Sequence, residues 1–278
     1  MQSLVSTDWL AQQLGAADLV LFDASWYMPA EQRNAQALYR AAHLRGARFF
    51  DIDRIADTES TLPHMAPTAA RFEHLVSALG VEADSRVVFY DQKGIFSAAR
   101  GWWLMRLFGH EDVAVLDGGL PKWQREGREV LVGETSPPAP GSFRAALNAR
   151  YLRGLGDVRA NLSQPRELIL DARSADRFFA RVPEPRAGTR GGHIPGSHNL
   201  PYAELLTNGE TMLSPELLRQ RFAAAGVDAN SAVVTSCGSG LTAAVLTLGL
   251  EVAGLPSGAL YDGSWSEWGA REDTPVER

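Results

Sequence analysis

Cys237 is the only cysteine among 278 residues, and it opens the run Cys237-Gly238-Ser239-Gly240-Leu241-Thr242. The apolar run Val233 to Ser236 before it has the length and composition of a buried strand, and Leu241 to Leu250 after it reads as a helix. The cysteine therefore falls at a strand-to-helix turn, the place where open α/β sheets hold ligands beyond the carboxyl ends of their strands. Glycines at 238 and 240 permit unusual backbone angles, so that successive N–H groups can curl around one atom, and a helix N-terminus adds partial positive charge. Such a nest favours an anion, and the thiolate is the form of cysteine that attacks. An arbitrary cysteine is more often a small buried hydrophobe, but flanking glycines weaken helix and strand and serve an anion rather than a packed side chain. A cysteine phosphatase is the sharpest rival. Its phosphate dianion requires an arginine closing the loop, and Ala243 and Ala244 occupy that stretch, which disfavours phosphate ester cleavage.

The elements that position this loop follow from length and repetition. At roughly 100 to 200 residues per domain the chain favours two domains, and 45% hydrophobic side chains suffice for substantial cores. Four anchors recur in one order 145 to 150 residues later: Leu21-Phe22-Asp23-Ala24-Ser25 in Ile169-Leu170-Asp171-Ala172-Arg173, His43-Leu44-Arg45-Gly46-Ala47 in His193-Ile194-Pro195-Gly196-Ser197, Val87-Val88-Phe89-Tyr90-Asp91 in Val233-Val234-Thr235-Ser236-Cys237, and Asp117-Gly118-Gly119-Leu120 in Asp262-Gly263-Ser264-Trp265. The chain is a duplicated domain, with halves at 1–134 and 150–278 and a linker at 135–149, where Ser136-Pro137-Pro138-Ala139-Pro140-Gly141 lacks periodicity and backbone donors. Buried strands such as Val87 to Tyr90 and Val113 to Leu116 alternate with amphipathic stretches, an α/β pattern with parallel strands. Ser214-Pro215-Glu216 supplies a helix start, with serine as N-cap and proline at the first helical position.

Composition removes other classes. A net charge of -6 leaves no broad basic field for nucleic acid. No run approaches the roughly 20 apolar residues of a membrane span, and MQSLVSTDWL has no leader pattern, so no membrane is expected and the expected address is cytoplasmic. One cysteine forms neither an internal disulfide nor a multi-cysteine zinc site, and the six histidines show no metal-ligand spacing.

With these residues in hand the chain resembles the two-domain rhodanese family, in its 3-mercaptopyruvate sulfurtransferase branch. The resemblance covers nearly the whole chain and rests on Asp23-Ala24-Ser25-Trp26-Tyr27, Phe49-Phe50-Asp51-Ile52-Asp53, Asp117-Gly118-Gly119-Leu120, Gly192-His193-Ile194-Pro195-Gly196, Cys237-Gly238-Ser239-Gly240 and Tyr261-Asp262-Gly263-Ser264-Trp265. It implies two tandem rhodanese-like domains, each a mainly parallel sheet flanked by helices. The second is catalytic, and the first is degenerate, with Asp91 where a cysteine would stand. His43-Leu44-Arg45-Gly46 departs from the family's His-Ile-Pro-Gly, a change in a turn, and His193 is read as structural.

The resemblance further implies a persulfide on Cys237, with the loop residues Gly238, Gly240, Leu241 and Thr242 in the substrate-binding site. Arg177 and Arg186 would bind the carboxylate or keto oxygen of mercaptopyruvate through paired donors, although an arginine taken alone is more often a solvated surface residue. Asp53 and His64 would form a proton-handling chain with Ser239, supplied by the N-terminal half; taken alone, His64 is a loop histidine and Asp53 a turn residue. The neutral Gly238 and Ser239 favour a keto acid with one carboxylate over thiosulfate, whose relatives carry basic residues there. The expected reaction is ping-pong, needs no metal or organic cofactor, and ends on a thiol, a thioredoxin-like dithiol or cyanide. The alternatives are a thiosulfate sulfurtransferase and a non-catalytic persulfide carrier.

Overall fold

The short apolar runs become strands buried on both faces, which requires that helices cover the sheets they form. The computed structural model describes residues 1–278. In the first half, β1 (Leu4–Val5), β2 (Leu19–Asp23), β3 (Ala47–Phe49), β4 (Arg86–Tyr90) and β5 (Val113–Leu116) form one sheet in the order β1-β5-β4-β2-β3, all parallel. In the second, β6 (Leu152–Arg153), β7 (Leu168–Asp171), β8 (His198–Asn199), β11 (Val233–Ser236) and β12 (Ala259–Tyr261) repeat that order as β6-β12-β11-β7-β8, again all parallel. Two short strands, β9 (Leu206–Thr207) and β10 (Thr211–Met212), lie outside both sheets. Each half is thus an α/β domain with a five-stranded parallel sheet, as the repeated anchors require.

The helices run from α1 (Thr7–Gln13), α2 (Ala35–Ala41), α3 (Ile52–Ile55), α4 (Ala69–Ala78), α5 (Ala98–Leu107) and α6 (Gly119–Arg125) to α7 (Leu155–Ser163), α8 (Ala175–Phe178), α9 (Pro215–Ala224), α10 (Ala243–Val252) and α11 (Ser264–Trp268). Helix α9 starts as its sequence dictates, with Ser214 Oγ accepting from the Leu217 N–H at 3.4 Å and proline at the first position. Helix α10 begins at Ala243, two residues later than its apolar pattern suggested, because Leu241 and Thr242 still belong to the turn that follows Cys237.

The chain divides into two compact units that do not follow the sequence halves strictly. The first comprises residues 1–58, 67–148 and 208–212; the second comprises 59–66, 149–207 and 213–278. Each unit therefore includes a segment from the opposite half of the sequence. The proline-rich stretch has no regular element but is laid against the first unit: the Gly141 N–H donates to the Ser77 carbonyl at 2.7 Å, the Phe143 N–H to the Val81 carbonyl at 3.1 Å, and the Phe143 ring is buried edge-on to Phe72.

The duplicated histidines serve the cores. His43 stacks on Tyr39 with Nδ1 at 3.0 Å from the Tyr39 carbonyl, and His193 stacks on Phe178 with Nδ1 at 3.0 Å from the Phe178 carbonyl. Both rings sit just before the strand that feeds the sheet edge, and both are buried.

Candidate active site

Strand β11 ends at Ser236 and delivers Cys237 to the N-terminal side of the ten-residue helix α10. Cys237 is a free, buried cysteine. The turn after β12 holds its backbone from below. Ser264 Oγ accepts the Cys237 N–H at 3.2 Å and the Gly240 N–H at 3.1 Å, and it donates to the Tyr261 carbonyl at 2.8 Å. The Trp265 N–H donates to the Cys237 carbonyl at 3.0 Å and the Ser266 N–H to the Gly238 carbonyl at 2.8 Å, a bond that the Ser266 hydroxyl reinforces. Ser264 itself has φ 49, a left-handed conformation that costs a serine about 1 kcal/mol or more and persists where the surroundings fix it. Its three hydrogen bonds provide that fixation.

The two loop glycines act differently from one another. Gly240 has φ +75, the left-handed angle anticipated for a curled loop. Gly238 has no such angle; a Cβ there would come within 3.0 Å of Arg177 Nη2, so the missing side chain makes room for the guanidinium. The expectation that both glycines serve backbone curvature is corrected to one for curvature and one for clearance.

Arg177, on α8, is thereby placed beside the cysteine loop. Glu184 holds it, accepting from Nη2 at 2.5 Å and from Nε at 3.2 Å, a grip that leaves out Nη1. The Glu184 side chain is only 3% exposed and also takes Arg173 Nη1 at 3.0 Å. Arg173 is wholly buried, bonded to Asp171 through Nε and Nη2 and lying over the Trp265 ring at 4.4 Å. Burial works against its charge, and the Asp171 and Glu184 carboxylates outweigh it, holding its pKa above that of an ordinary arginine. The result is a chain of two carboxylates and two guanidiniums that fixes Arg177 through pairing rather than packing alone. Arg186 is half-buried two residues beyond Glu184, with its carbonyl accepting from the Thr189 N–H at 3.4 Å.

His64 belongs to the second unit although its sequence lies in the first half. It is buried, with Nδ1 at 3.0 Å from Ser239 Oγ, which joins two of the expected proton-handling residues directly. His64 too is left-handed, at φ 60, and its segment is anchored by the Ala66 N–H, which donates to Asp262 Oδ2 at 2.6 Å. Asp53 lies in the first unit as an exposed residue of α3, accepting from Trp26 Nε1 at 3.0 Å. Leu241 is buried and Thr242 is the residue immediately before α10. No group of three or more His, Cys, Asp or Glu side chains is gathered to hold a metal ion.

Sequence reasoning passed over Glu184, Arg173, Asp262 and Ser264 as site residues. Glu184 carried one signal, prolines on both sides that stiffen it, and Asp262 and Ser264 lay inside a repeated motif that supports the resemblance without marking either as a site residue. The arrangement offers a thiol nucleophile at a helix N-terminus, a serine–histidine pair for moving a proton, and a carboxylate-steadied guanidinium for an acidic or carbonyl group.

The equivalent loop of the first unit is closed on itself. Asp91 follows β4 and takes the Lys93 N–H on Oδ1 at 2.9 Å and the Phe96, Ser97 and Ala98 N–H groups on Oδ2 at 2.8, 2.9 and 2.9 Å. The Leu120 N–H donates to the Asp91 carbonyl at 3.0 Å, as Trp265 does to that of Cys237.

A model of the Rhodanese-like domain matches residues 6–126 and 155–271. The chain is 43% identical to the 3-mercaptopyruvate sulfurtransferase of Escherichia coli K12, over 98% of this chain and 97% of that one. It is 41% identical to the mitochondrial thiosulfate/3-mercaptopyruvate sulfurtransferase 1 of Arabidopsis thaliana, over 99% of this chain and 78% of that one. Among solved structures, the crystal structure of Escherichia coli SseA, a 3-mercaptopyruvate sulfotransferase with the rhodanese fold, is similar with a TM-score of 0.86 at 39% identity, covering 96% of this chain and 100% of that one.

Proposed function

The chain belongs to the rhodanese-like domain family, and from that premise we propose that it is a 3-mercaptopyruvate sulfurtransferase working through a persulfide on Cys237. The observation that carries the choice of donor is Arg177, steadied by Glu184 and set against Gly238 in a loop whose residues 238 to 242 bear no charge. Mercaptopyruvate brings one carboxylate and an adjacent keto oxygen, and a guanidinium can bond either through two parallel donors. Arg186 is the proposed second anchor.

In the first half-reaction the Cys237 thiolate attacks the substrate sulfur. The new S–S bond forms as the C–S bond breaks, and the electron pair of that bond leaves with pyruvate as its enolate. Ser239 and His64 supply the proton that converts the enolate to pyruvate. The N–H groups of Gly238, Ser239, Leu241, Thr242 and Ala243, around the start of α10, hold the persulfide anion, while that of Gly240 stays on Ser264 Oγ. In the second half-reaction an acceptor thiolate, from a small thiol or a thioredoxin-like dithiol, or cyanide, takes the outer sulfur and returns Cys237 as thiolate. A reducing compartment such as the cytoplasm suits an enzyme that must recover a free thiol in every cycle. No helix is long and apolar enough to cross a membrane. We keep 1–134 and 150–278 as the proposed domains and 135–149 as their linker, with residues 59–66 serving the second.

Thiosulfate is the second reading, because a relative at 41% identity carries both donors in its name. A paired assay decides: kcat/KM for mercaptopyruvate should exceed that for thiosulfate by at least about tenfold, a difference of about 1.4 kcal/mol in transition-state binding. Equal or reversed values would assign the loop to the dianion, and slow turnover of both donors with rapid loading from a protein donor would make the chain a carrier.

A further inference from the structure

Each sheet ends its last central strand on an aspartate: Asp117 follows β5 and Asp262 follows β12. Each aspartate accepts one backbone N–H from a segment that comes from the other half of the sequence. Asp117 Oδ1 takes the Met212 N–H at 2.8 Å, within the first unit; Asp262 Oδ2 takes the Ala66 N–H at 2.6 Å, within the second. Ala66 and Met212 are separated by the same interval that relates Val87 to Val233, so the captured residues are themselves equivalent. The duplication has preserved one device, an acid at the end of a strand gripping a borrowed segment.

What the segment carries differs. Two residues before Met212 stands Glu210, which pairs with Arg125 at 2.6 Å and packs its backbone against Gly94 of the Asp91 loop. Two residues before Ala66 stands His64, whose Nδ1 meets Ser239 Oγ at 3.0 Å. His64 sits at φ 60, a conformation that its own backbone resists, so the residue keeps that place only while its flanks are held. Asp262 is buried and belongs to the same turn whose Ser264, Trp265 and Ser266 grip the Cys237 loop. One turn thus registers two chain segments against each other.

We infer that Asp262 is a positioning residue: by gripping the Ala66 N–H it sets His64 on Ser239 while its neighbours Ser264 to Ser266 set the nucleophile loop. This rests on the reading of His64 and Ser239 as the proton-handling pair. The experiment is a double-mutant cycle of Asp262→Ala and His64→Ala on the full chain, read as the rate of Cys237 loading from mercaptopyruvate, together with hydrogen exchange at the Ala66 amide. Asp262→Ala should slow loading about tenfold in the wild-type background, as a misplaced group does. It should slow loading less than about twofold when His64 is already alanine, because coupled residues lose their effects together. Asp262→Asn should recover most of the rate, since its amide oxygen still accepts, and the Ala66 amide should exchange faster in Asp262→Ala. A tenfold loss that persists in the His64→Ala background, or an Ala66 amide that exchanges as before, overturns the inference. Wild-type loading by His64→Ala would instead remove the proton-handling reading, and exchange at Ala66 would still decide whether Asp262 holds the segment. Should Asp262→Ala not fold, Asp262→Asn carries the cycle: its smaller loss must vanish in the His64→Ala background, and a loss that remains overturns the inference.

Discussion

The loops after β4 and β11 share a plan and differ in the side chain that opens it, Asp91 in one and Cys237 in the other. In the first, Asp91 supplies a carboxylate from the chain itself, and four N–H groups close on it. In the second, Cys237 stands at the mouth, α10 begins six residues later where α5 begins seven after Asp91, and Ser264 takes the backbone N–H groups of Cys237 and Gly240. Gly119 is the counterpart of Ser264 in the first unit and shares its left-handed angle, φ 52 against 49, without a side chain to offer. The strand-to-helix turn gathers backbone N–H groups around the Asp91 carboxyl in the first copy, and the proposed role of the second is to gather them around sulfur. A side chain of the chain itself fills the first, and the proposed role of the second is to hold the sulfur that Cys237 would carry.

That contrast can be broken at either end. Cys237→Ser should reduce turnover to below about one thousandth, as loss of a nucleophile does, while unfolding at a denaturant midpoint close to that of the wild type. Asp91→Ala should do the reverse: about 3 kcal/mol or more of stability lost as buried donors go unpaired, with the loading rate of the folded protein unchanged. Denaturant unfolding and burst kinetics on both variants provide the check, and an Asp91→Ala enzyme that folds normally but cannot load would erase the distinction.

A smaller contrast separates the residues beside each sheet's second strand. Ser25 and Arg173 donate their N–H groups to Asp23 and Asp171 at 2.9 Å alike, but only Arg173 adds a guanidinium, which Glu184 shares with Arg177. Glu184→Gln should raise KM for mercaptopyruvate about tenfold through a loosened Arg177, cost about 3 kcal/mol of stability through a buried cation left short of a partner, and leave persulfide discharge to a thiol intact. Equal damage to both half-reactions would make the network a support of the fold alone.

The smallest effect concerns Asp23, which faces no cation. Burial raises its pKa to about 6 from an ordinary 3.8. The folded protein therefore keeps a proton that the unfolded chain releases, and this group's contribution to stability falls as pH rises from about 4 to about 6 and is flat above that. Its span is on the order of 2 to 3 kcal/mol at most, and Asp23→Asn should flatten the stability–pH curve in that window. An unchanged curve would show that burial leaves the Asp23 pKa where it lies in the unfolded chain.

Much of this architecture is written in local pattern. The strands Val113–Leu116 and Val233–Ser236 are apolar runs buried on both faces, and Ser214 followed by Pro215 marks a helix start with its cap. The repeat brought out Asp91 as the counterpart of Cys237. Tertiary choices were not legible. The exchange of residues 59–66 and 208–212 between units leaves no periodic trace, and Glu184 becomes a site residue only when Arg173 and Arg177 converge on it from eleven and seven residues away. Gly238 reads in sequence like Gly240, and only the guanidinium beside it separates clearance from curvature. The onset of α10 was misjudged because Leu241 is as apolar as the helix it precedes.

The central claim is that sulfur passes through Cys237. Intact-mass measurement of the protein after brief exposure to mercaptopyruvate without acceptor tests it most directly. The wild-type chain should gain the mass of one sulfur atom, lose it on addition of a thiol, and yield one pyruvate per site, while Cys237→Ser gains nothing. A Cys237→Ser chain that still takes up sulfur, or a wild-type chain that releases pyruvate without gaining mass, would contradict the account.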